Sequence, residues 1–458
     1  MPRVYIKEFG CQMNEYDSGK IRAQLAQDGF VPTDEVDDAD LVIVNTCSVR
    51  EKPEQKLHSF LGRVLPQKRQ RDVTVAIAGC VAQMAGKELY RKYPKVDLVF
   101  GPDGVNRVRD LVAQTRGRRV LDITFDDTEG YQFPTDVDPD AANAISAYVT
   151  IQKGCDNKCT FCIVPATRGV EVSRPAAEVL DEVHALVDRG VREFTLIGQN
   201  VNSYGLKVPG MPDFAALLRA VHAIDGVDIL RYTTSHPRDM GEDVVACYRD
   251  LPKLASHLHL PVQSGSDRVL RRMKRFYTRA HYLGLVDRLR AARPDLVLTT
   301  DIITGFPGET DADFAETMSL LEAVRFNTSF SFKYSPRPDT AALRLLDDAV
   351  PEAVAAARLQ QFQDRQRAIA LEQHRALIGT VQEVLVAGPS AHDDGVVCGR
   401  TSTFKTINFP GEETLTGQWV AVRVGAAFTN TLRGERVDGG SSGRISPPPP
   451  MSTTTTTA

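Results

Sequence analysis

Three cysteines, Cys155, Cys159 and Cys162, fall in a Cys-x3-Cys-x2-Cys spacing within one short loop, Gly154-Cys155-Asp156-Asn157-Lys158-Cys159-Thr160-Phe161-Cys162. Thiolates this close together can all reach one metal centre. A four-iron cluster normally takes four cysteines, so three local ligands would leave one iron open to a ligand from outside the protein. The competing chemistry is structural zinc, which prefers four closed ligands, often as two Cys-x2–4-Cys pairs. No fourth Cys or His follows within twenty residues, and the nearest, His184, lies in a helical pattern. The spacing therefore favours an iron–sulfur site with an open position.

A second trio is spread over the start of the chain. Val4 to Phe9 reads as a strand ending at Gly10-Cys11. Leu41 to Val44 reads as another ending at Asn45-Thr46-Cys47, and Val73 to Ala78 as a third ending at Gly79-Cys80. A helix is expected over 18–29, with Ile21 and Leu25 on one face. Strand alternating with helix predicts an α/β domain with an open parallel sheet, over residues 1–120. Cys11, Cys47 and Cys80 then share its carboxyl edge, where ligands collect in such sheets. A lone free cysteine is often just core. Three with matching placement predict a second three-cysteine iron–sulfur site. The acidic stretch Asp122 to Asp140, with Pro134 and Pro139, reads as an irregular linker over 121–140.

The first trio needs a scaffold of its own. Between 141 and 375, apolar runs near 147–151, 193–198, 227–233, 256–262, 296–304 and 326–334 alternate with amphipathic helices at 176–189, 213–224, 279–292 and 311–324. Six βα units fit and eight do not, which predicts a partial (βα)6 TIM-like barrel with its site at the strands' carboxyl ends. The cysteine loop falls there, as do Gly198-Gln199-Asn200, Thr234-Ser235-His236-Pro237, Pro261-Val262-Gln263-Ser264-Gly265 and Gly305-Phe306-Pro307-Gly308-Glu309. His236, His257 and His259 read as hydrogen-bonded structural residues. Walker P-loop, HExxH and dinucleotide fingerprints are missing. A long helix at 351–377 leads to short β-rich runs at 380–386, 395–398, 404–409 and 418–424, which suggest a small OB-like barrel over 376–438. The tail, 439–458, is rich in Gly, Ser, Pro and Thr and is expected to be disordered.

Charge adds little. The 458 residues carry a net charge of −4, with 42% hydrophobic and 25% charged residues, as in ordinary soluble proteins of several domains. The whole chain is not a basic nucleic-acid binder. Residues 378–437 hold five Lys/Arg and six Asp/Glu, so charge does not mark the small barrel as an RNA binder, and Trp419 reads as core. One run, from Arg268 to Arg279, contains Arg271, Arg272, Lys274 and Arg275 without an acid, and is a candidate phosphate contact. Neither a secretory signal core nor a membrane-length apolar run is evident. The expectation is a cytoplasmic protein, where cysteine clusters more often mean metal or catalysis.

With both trios in view, residues 3 to about 437 resemble the radical S-adenosylmethionine methylthiotransferases. GCDNKCTFCIVPATRG is similar to their cluster motif, Cys11, Cys47 and Cys80 to their amino-terminal cluster domain, and the small barrel to the TRAM RNA-binding domain. LHLPVQSGSDRVLRRMKRFYTRAHYL and GRTSTFKTINFPG are most similar to the branch acting on N6-isopentenyladenosine in tRNA. Ala166 departs from the Tyr often found there. The resemblance implies two [4Fe–4S] clusters and S-adenosylmethionine, with Cys155, Cys159 and Cys162 holding the radical cluster and Cys11, Cys47 and Cys80 an auxiliary one. It implies methylthiolation at C2 of isopentenyladenosine 37, an unactivated C–H position that polar acid–base chemistry would not open. Gln199, Ser235, Gln263 and Glu309 are expected near S-adenosylmethionine from their places at strand ends. Implied partners are tRNA and an electron donor such as flavodoxin or ferredoxin; the chain is expected to be a monomer. Sister branches acting on a ribosomal protein aspartate or on threonylcarbamoyladenosine tRNA are the nearest alternatives. A non-catalytic iron–sulfur RNA-binding redox sensor is an alternative of another class.

Overall fold

The computed structural model describes residues 1–48, 51–126, 131–138, 144–391 and 393–437. The expected disordered tail and parts of the expected linker lie outside them.

The first domain is one parallel sheet of six strands in the order β2-β1-β3-β4-β5-β6. Its elements in chain order are β1 (Arg3–Phe9), α1 (Gln12–Gln27), β2 (Val31–Pro32), β3 (Leu41–Thr46), α2 (Glu51–Val64), β4 (Thr74–Ala78), α3 (Cys80–Lys92), β5 (Leu98–Phe100), α4 (Val108–Gln114) and β6 (Val120–Asp122). The β3 run Leu-Val-Ile-Val is buried throughout, as a strand covered on both faces requires. Two apolar layers enclose the sheet, one around Val42, Val44, Leu61 and Ile77, the other around Ile21, Leu25, Ile43 and Phe100. Burying each such side chain contributes about 1.5–3 kcal/mol. The short strands β2, β5 and β6 carry too few residues to stand out in the sequence. Helix α1 starts six residues earlier than its apolar face suggests, because Cys11 occupies the N-cap.

The stretch after β6 is not loose where it is described. Lys20 donates to the Asp136 carbonyl at 2.7 Å, and Arg22 donates to Asp138 at 2.7 Å. Residues 136–138 are thereby strapped along α1.

The middle domain supplies six parallel strands: β7 (Ser146–Thr150), β10 (Glu193–Ile197), β11 (Ile229–Tyr232), β12 (His257–His259), β13 (Val297–Thr304) and β14 (Thr328–Lys333). They pair as β7-β10-β11 and β12-β13-β14. The halves are joined by a single parallel bridge, Leu230 to Leu254. This is the expected six-stranded partial barrel. A ribbon of β8 (Gln152–Lys153) and β9 (Val172–Ser173) brackets the cysteine loop and the short α5 (Val164–Arg168). Outer helices α6 (Ala176–Val187), α7 (Phe214–His222), α8 (Glu242–Asp250), α9 (Asp267–Arg272), α10 (Arg279–Ala292) and α11 (Asp311–Val324) complete the units, and α12 (Glu352–Arg375) leads onward. Leu196, Leu230, Leu258, Leu298 and Ile302 face these helices in one core.

The last domain is a closed five-stranded barrel, β15 (Val381–Pro389), β16 (Val396–Arg400), β17 (Thr406–Pro410), β18 (Trp419–Ala427) and β19 (Leu432–Arg436), in the order β15-β16-β17-β19-β18. The fifth strand, Leu-Arg-Gly-Glu-Arg, is too polar to read as a strand by itself. Trp419 lies in the seam between domains rather than in this barrel's core. It packs with Ile229, Ala255 and Leu385, and its indole N–H donates to Asp228 at 3.2 Å. Among the described residues no helix is long and apolar enough to cross a membrane.

Candidate active site

The cysteine loop is shaped first by a glycine. Gly154 has φ +75°, and a Cβ there would lie 1.9 Å from the Val170 carbonyl oxygen. Only glycine lets the chain turn under the ribbon at this point. Behind it, the Gln199 side-chain carbonyl accepts from the Gly154 N–H. The front of the loop is fastened elsewhere: the Thr160 N–H donates to the Met273 carbonyl at 3.0 Å, and Arg238 donates to the Asn157 side chain at 2.7 Å. Arg275, 6% exposed, donates to the Cys159 sulfur at 3.4 Å and to the Pro261 carbonyl at 2.9 Å. Burial raises the Cys155 thiol and pushes Cys162 up to about 12, with the neighbouring thiols adding to both. Such a site favours ligands whose charge a metal centre would neutralise.

The other three cysteines meet at the carboxyl edge of the first sheet. Cys11 follows β1 and caps α1, Cys47 follows β3, and Cys80 opens α3. A buried amide network sets their spacing: Asn14 donates to Asn45 at 2.7 Å, and Asn45 returns a bond to the Asn14 carbonyl at 2.9 Å. Gly79, at φ +89°, lets that network close, since a Cβ would fall 2.3 Å from the Asn45 oxygen. The Cys47 side chain, hydrogen-bonded to Cys11, lowers the Cys11 thiol to about 6, helped by Arg168 and the first N–H groups of α1. Thiolates at helix starts are favoured in this way. Burial instead raises Cys80. Among the described residues, no three His, Cys, Asp or Glu side chains converge tightly enough to enclose a single ion. A cluster that distributes its thiolates over several irons asks for a wider ring than one ion does.

Arg168 joins the two sites. It ends α5, the helix that follows Cys162, and crosses to the first domain. There it donates to Asp17 of α1 at 2.6 Å and interacts with Cys80 and Cys11. A second buried pair, Lys153 with Asp103 at 2.6 Å, crosses the same boundary. Sequence reading missed Arg168, Asp17, Lys153 and Asp103 as site residues, and read Arg275 as a phosphate contact rather than a partner of Cys159. The only available signal was a cation six residues beyond the cysteine loop.

The structure brings the strand-end candidates around this site in different roles. Gln199 supports the cysteine loop, and its side-chain nitrogen is buried without a partner. The Ser235 hydroxyl and the Nε2 of the adjacent His236 are also buried and unpartnered. Burial and the nearby Arg275 push the His236 imidazole down to about 2. Gln263 adopts φ +74° and continues the β12–β13 pairing through its backbone, as Thr234 adopts φ +68° after β11. Left-handed non-glycine residues of this kind collect at functional sites.

Glu309 stands apart from these. Its carboxylate caps the N–H groups of Gly305 and Phe306 and lies 3.5 Å from Arg358 of α12. Burial pushes it up to about 7, against Arg358 and those N–H groups. Its folded value is raised, so its contribution to stability is full below about 4.5 and lost as pH rises through about 7. Thermal unfolding should therefore show a decline between about pH 5 and about pH 8 that Glu309→Gln lacks. Parallel curves for the two proteins would contradict this.

The structure divides the basic run. Arg272 spends its guanidinium on the Pro307 carbonyl at 3.0 Å and on Asp348 at 2.7 Å, and Arg275 is buried against Cys159. Arg275 is therefore closed off from an RNA phosphate, whereas Arg272 keeps 26% of its side-chain surface exposed. Five N–H donors in a fixed fork suit a guanidinium for fastening loop carbonyls. Arg271 and Lys274 are exposed. Cys247 is buried in α8 and Cys398 is on β16, away from both trios.

The partial barrel with its three-cysteine loop, flanked by an open α/β domain and a terminal β-barrel, defines a radical S-adenosylmethionine protein. Family models agree: the uncharacterized protein family UPF0004 over residues 3–101, the radical SAM superfamily over 149–321 and the TRAM domain over 375–437. Over 435 residues the chain is 47% identical to the tRNA-2-methylthio-N(6)-dimethylallyladenosine synthase of Geobacter metallireducens, covering 94% of this chain and 98% of that one. It is 49% identical over 440 residues to the synthase of the same name from Bordetella pertussis, covering 94% and 97%. The chain belongs to the tRNA-2-methylthio-N(6)-dimethylallyladenosine synthase family. Its fold also matches the radical S-adenosylmethionine methyltransferase TsrM from Kitasatospora setae, with a TM-score of 0.56, 15% identity, and coverage of 86% and 79%. Superfamily membership brings S-adenosylmethionine and a [4Fe–4S] cluster as cofactors. The residues fit both. Cys155, Cys159 and Cys162 supply three thiols, and the unpartnered polar atoms of Gln199, Ser235 and His236 await bonds that the protein alone does not provide.

Proposed function

We propose that this chain transfers a methylthio group to C2 of N6-dimethylallyladenosine (the isopentenyladenosine of the sequence reading) at tRNA position 37. The observation carrying this reading is the placement of two three-cysteine sites on either side of one domain boundary, spanned by Arg168, in a chain nearly half identical to enzymes of that name over almost its whole length. Cys155, Cys159 and Cys162 would hold the radical cluster, which supplies reductive cleavage of S-adenosylmethionine and so the means to attack an unactivated C–H bond. Cys11, Cys47 and Cys80 would hold a second cluster, at the edge where the sulfur must be handed over.

The protein's own residues do the positioning. Arg275 and Arg238 fix the loop around Cys159 and Asn157. Ser235, Gln199 and His236 offer polar atoms at the barrel mouth. With its imidazole held neutral by burial, His236 is an acceptor or donor there rather than a cation. Arg168 and Lys153, ion-paired to Asp17 and Asp103, tie the first domain to the cysteine-loop ribbon across the boundary between the sites. Supplying single electrons to such a loop calls for a one-electron carrier of the flavodoxin or ferredoxin class.

Mass spectrometry of tRNA nucleosides from a deletion strain tests this. The expected result is loss of the 2-methylthio derivative, accumulation of N6-dimethylallyladenosine, and restoration by the intact chain. Persistence of the derivative would overturn the substrate assignment and return the sister substrates.

A further inference from the structure

The inner face of the partial barrel is polar and aromatic, and all three domains reach it. Tyr148, Thr195 and Arg231 stand in register on β7, β10 and β11. His257 and His259 of β12 both hydrogen-bond to Thr299 of β13, and Phe330 of β14 packs against His259. Met13 and Tyr16 of α1 pack with Tyr148 and Ile197 from above. The small barrel closes the remaining side with the turn Thr401–Lys405. Arg231 pins that turn, donating to the Thr401 carbonyl at 2.8 Å and the Ser402 carbonyl at 3.0 Å.

At this turn sits Phe404, with φ +62° and 41% of its surface exposed. Its ring stacks on His257, with centroids 4.8 Å apart and planes inclined by 24°. The guanidinium groups of Arg231 and Arg400 each lie 4.8 Å from the ring centroid. Arg231 is satisfied by Glu193 and the turn carbonyls. Among the described residues Arg400 makes no hydrogen bond or close ion pair, and only the Glu15 carboxylate of α1 acts on it at longer range. Lys405 is 5% exposed and its ammonium nitrogen has no partner. Burial pushes it down to about 7. An aromatic face, an unpaired guanidinium and an unpaired buried amine at one seam make a poor structural joint. They suit a ligand carrying a π-face and an anion.

We propose that Phe404, Arg400 and Lys405 form a clamp for single-stranded RNA, with an unstacked base on the Phe404 ring and a phosphate on the two cations. This rests on the tRNA reading above and adds to it where the RNA strand enters. Splayed loop bases are taken up on aromatic side chains in this way, with basic groups tracking the backbone. The clamp opens onto the inner face, so a base held there stands at the entrance to the barrel. It also resolves the charge count of the small barrel, since two well-placed cations matter more than a net sum.

The test is fluorescence anisotropy of the full chain with an anticodon stem-loop RNA bearing N6-dimethylallyladenosine, read across a salt series. Phe404→Ala is expected to weaken binding by about 5- to 150-fold, the range for one base–aromatic stack, while Phe404→Trp keeps most of the affinity. Arg400→Ala and Lys405→Met are each expected to flatten the dependence of log affinity on log salt by about 0.7, one phosphate contact on a single strand. Iron content and unfolding midpoints of all variants check that they fold. If the wild-type chain binds and Phe404→Ala, Arg400→Ala and Lys405→Met match it at every salt concentration, the clamp is wrong. Phe404→Trp binding as poorly as Phe404→Ala would also overturn it. A wild-type chain that binds no stem-loop would instead overturn the tRNA reading.

Discussion

The variant Cys155→Ala, Cys159→Ala, Cys162→Ala is expected to retain about four irons per chain after anaerobic reconstitution, against about eight in the wild type, at four per cluster. It is expected not to cleave S-adenosylmethionine. The two halves of this result have separate causes. The loop is bracketed by β8 and β9 and fastened through Thr160, Asn157 and Gly154, so losing three sulfurs removes ligands without dissolving their frame. The first sheet keeps Cys11, Cys47 and Cys80 on its own amide network of Asn14 and Asn45, so its metal should survive. Iron and sulfide analysis with electron paramagnetic resonance measures both. Retention of all eight irons would sink the assignment of this loop, and loss of all eight would show that the two sites do not load independently.

Arg168→Met is expected to cost about 3–5 kcal/mol, the usual penalty for leaving one member of a buried ion pair without its partner. Arg168 is 5% exposed and Asp17 is 8% exposed, so water cannot replace the lost guanidinium. Burial already raises the Asp17 carboxyl, with Arg168 pulling against it. Removing Arg168 leaves burial unopposed. Asp17 then gives its best stability while protonated, so the penalty should shrink as pH falls into the carboxylate range and grow toward neutrality. Urea denaturation of Arg168→Met, Asp17→Asn and the double variant checks this. The double variant should lose much less than the sum of the singles. Additive losses would mean that the pair is not coupled. A drop in iron at Cys11, Cys47 and Cys80 in Arg168→Met would further tie this residue to the first site.

Much of the site is legible in linear order because its chemistry depends on residue type and spacing. Cys155, Cys159 and Cys162 announce a shared centre since only a few residues separate them. Cys11, Cys47 and Cys80 do so because each βα unit returns the chain to the same sheet edge. The six strands of the partial barrel show as short apolar-rich runs between amphipathic helices, with their apolar positions turned to those helices and their polar ones to the barrel interior. Short or polar strands such as β5, β6 and β19 do not, because pairing with neighbours rather than their own pattern makes them strands.

What only the tertiary structure decided is partnership. The run around Arg272 and Arg275 is basic in sequence, but these two guanidinium groups are tied to the Pro307 carbonyl, Asp348 and Cys159. Arg168 and Asp17 are 151 residues apart, and Arg275 and Cys159 are 116 apart; no local pattern links such pairs. Conversely, Arg400 and Lys405 sit in a segment of balanced charge, and the fold gives neither a close ion pair, with only the Glu15 carboxylate acting on Arg400 at longer range. A sequence states how many charges there are. Burial and distance determine which of them are already spent, and so which remain to meet a ligand.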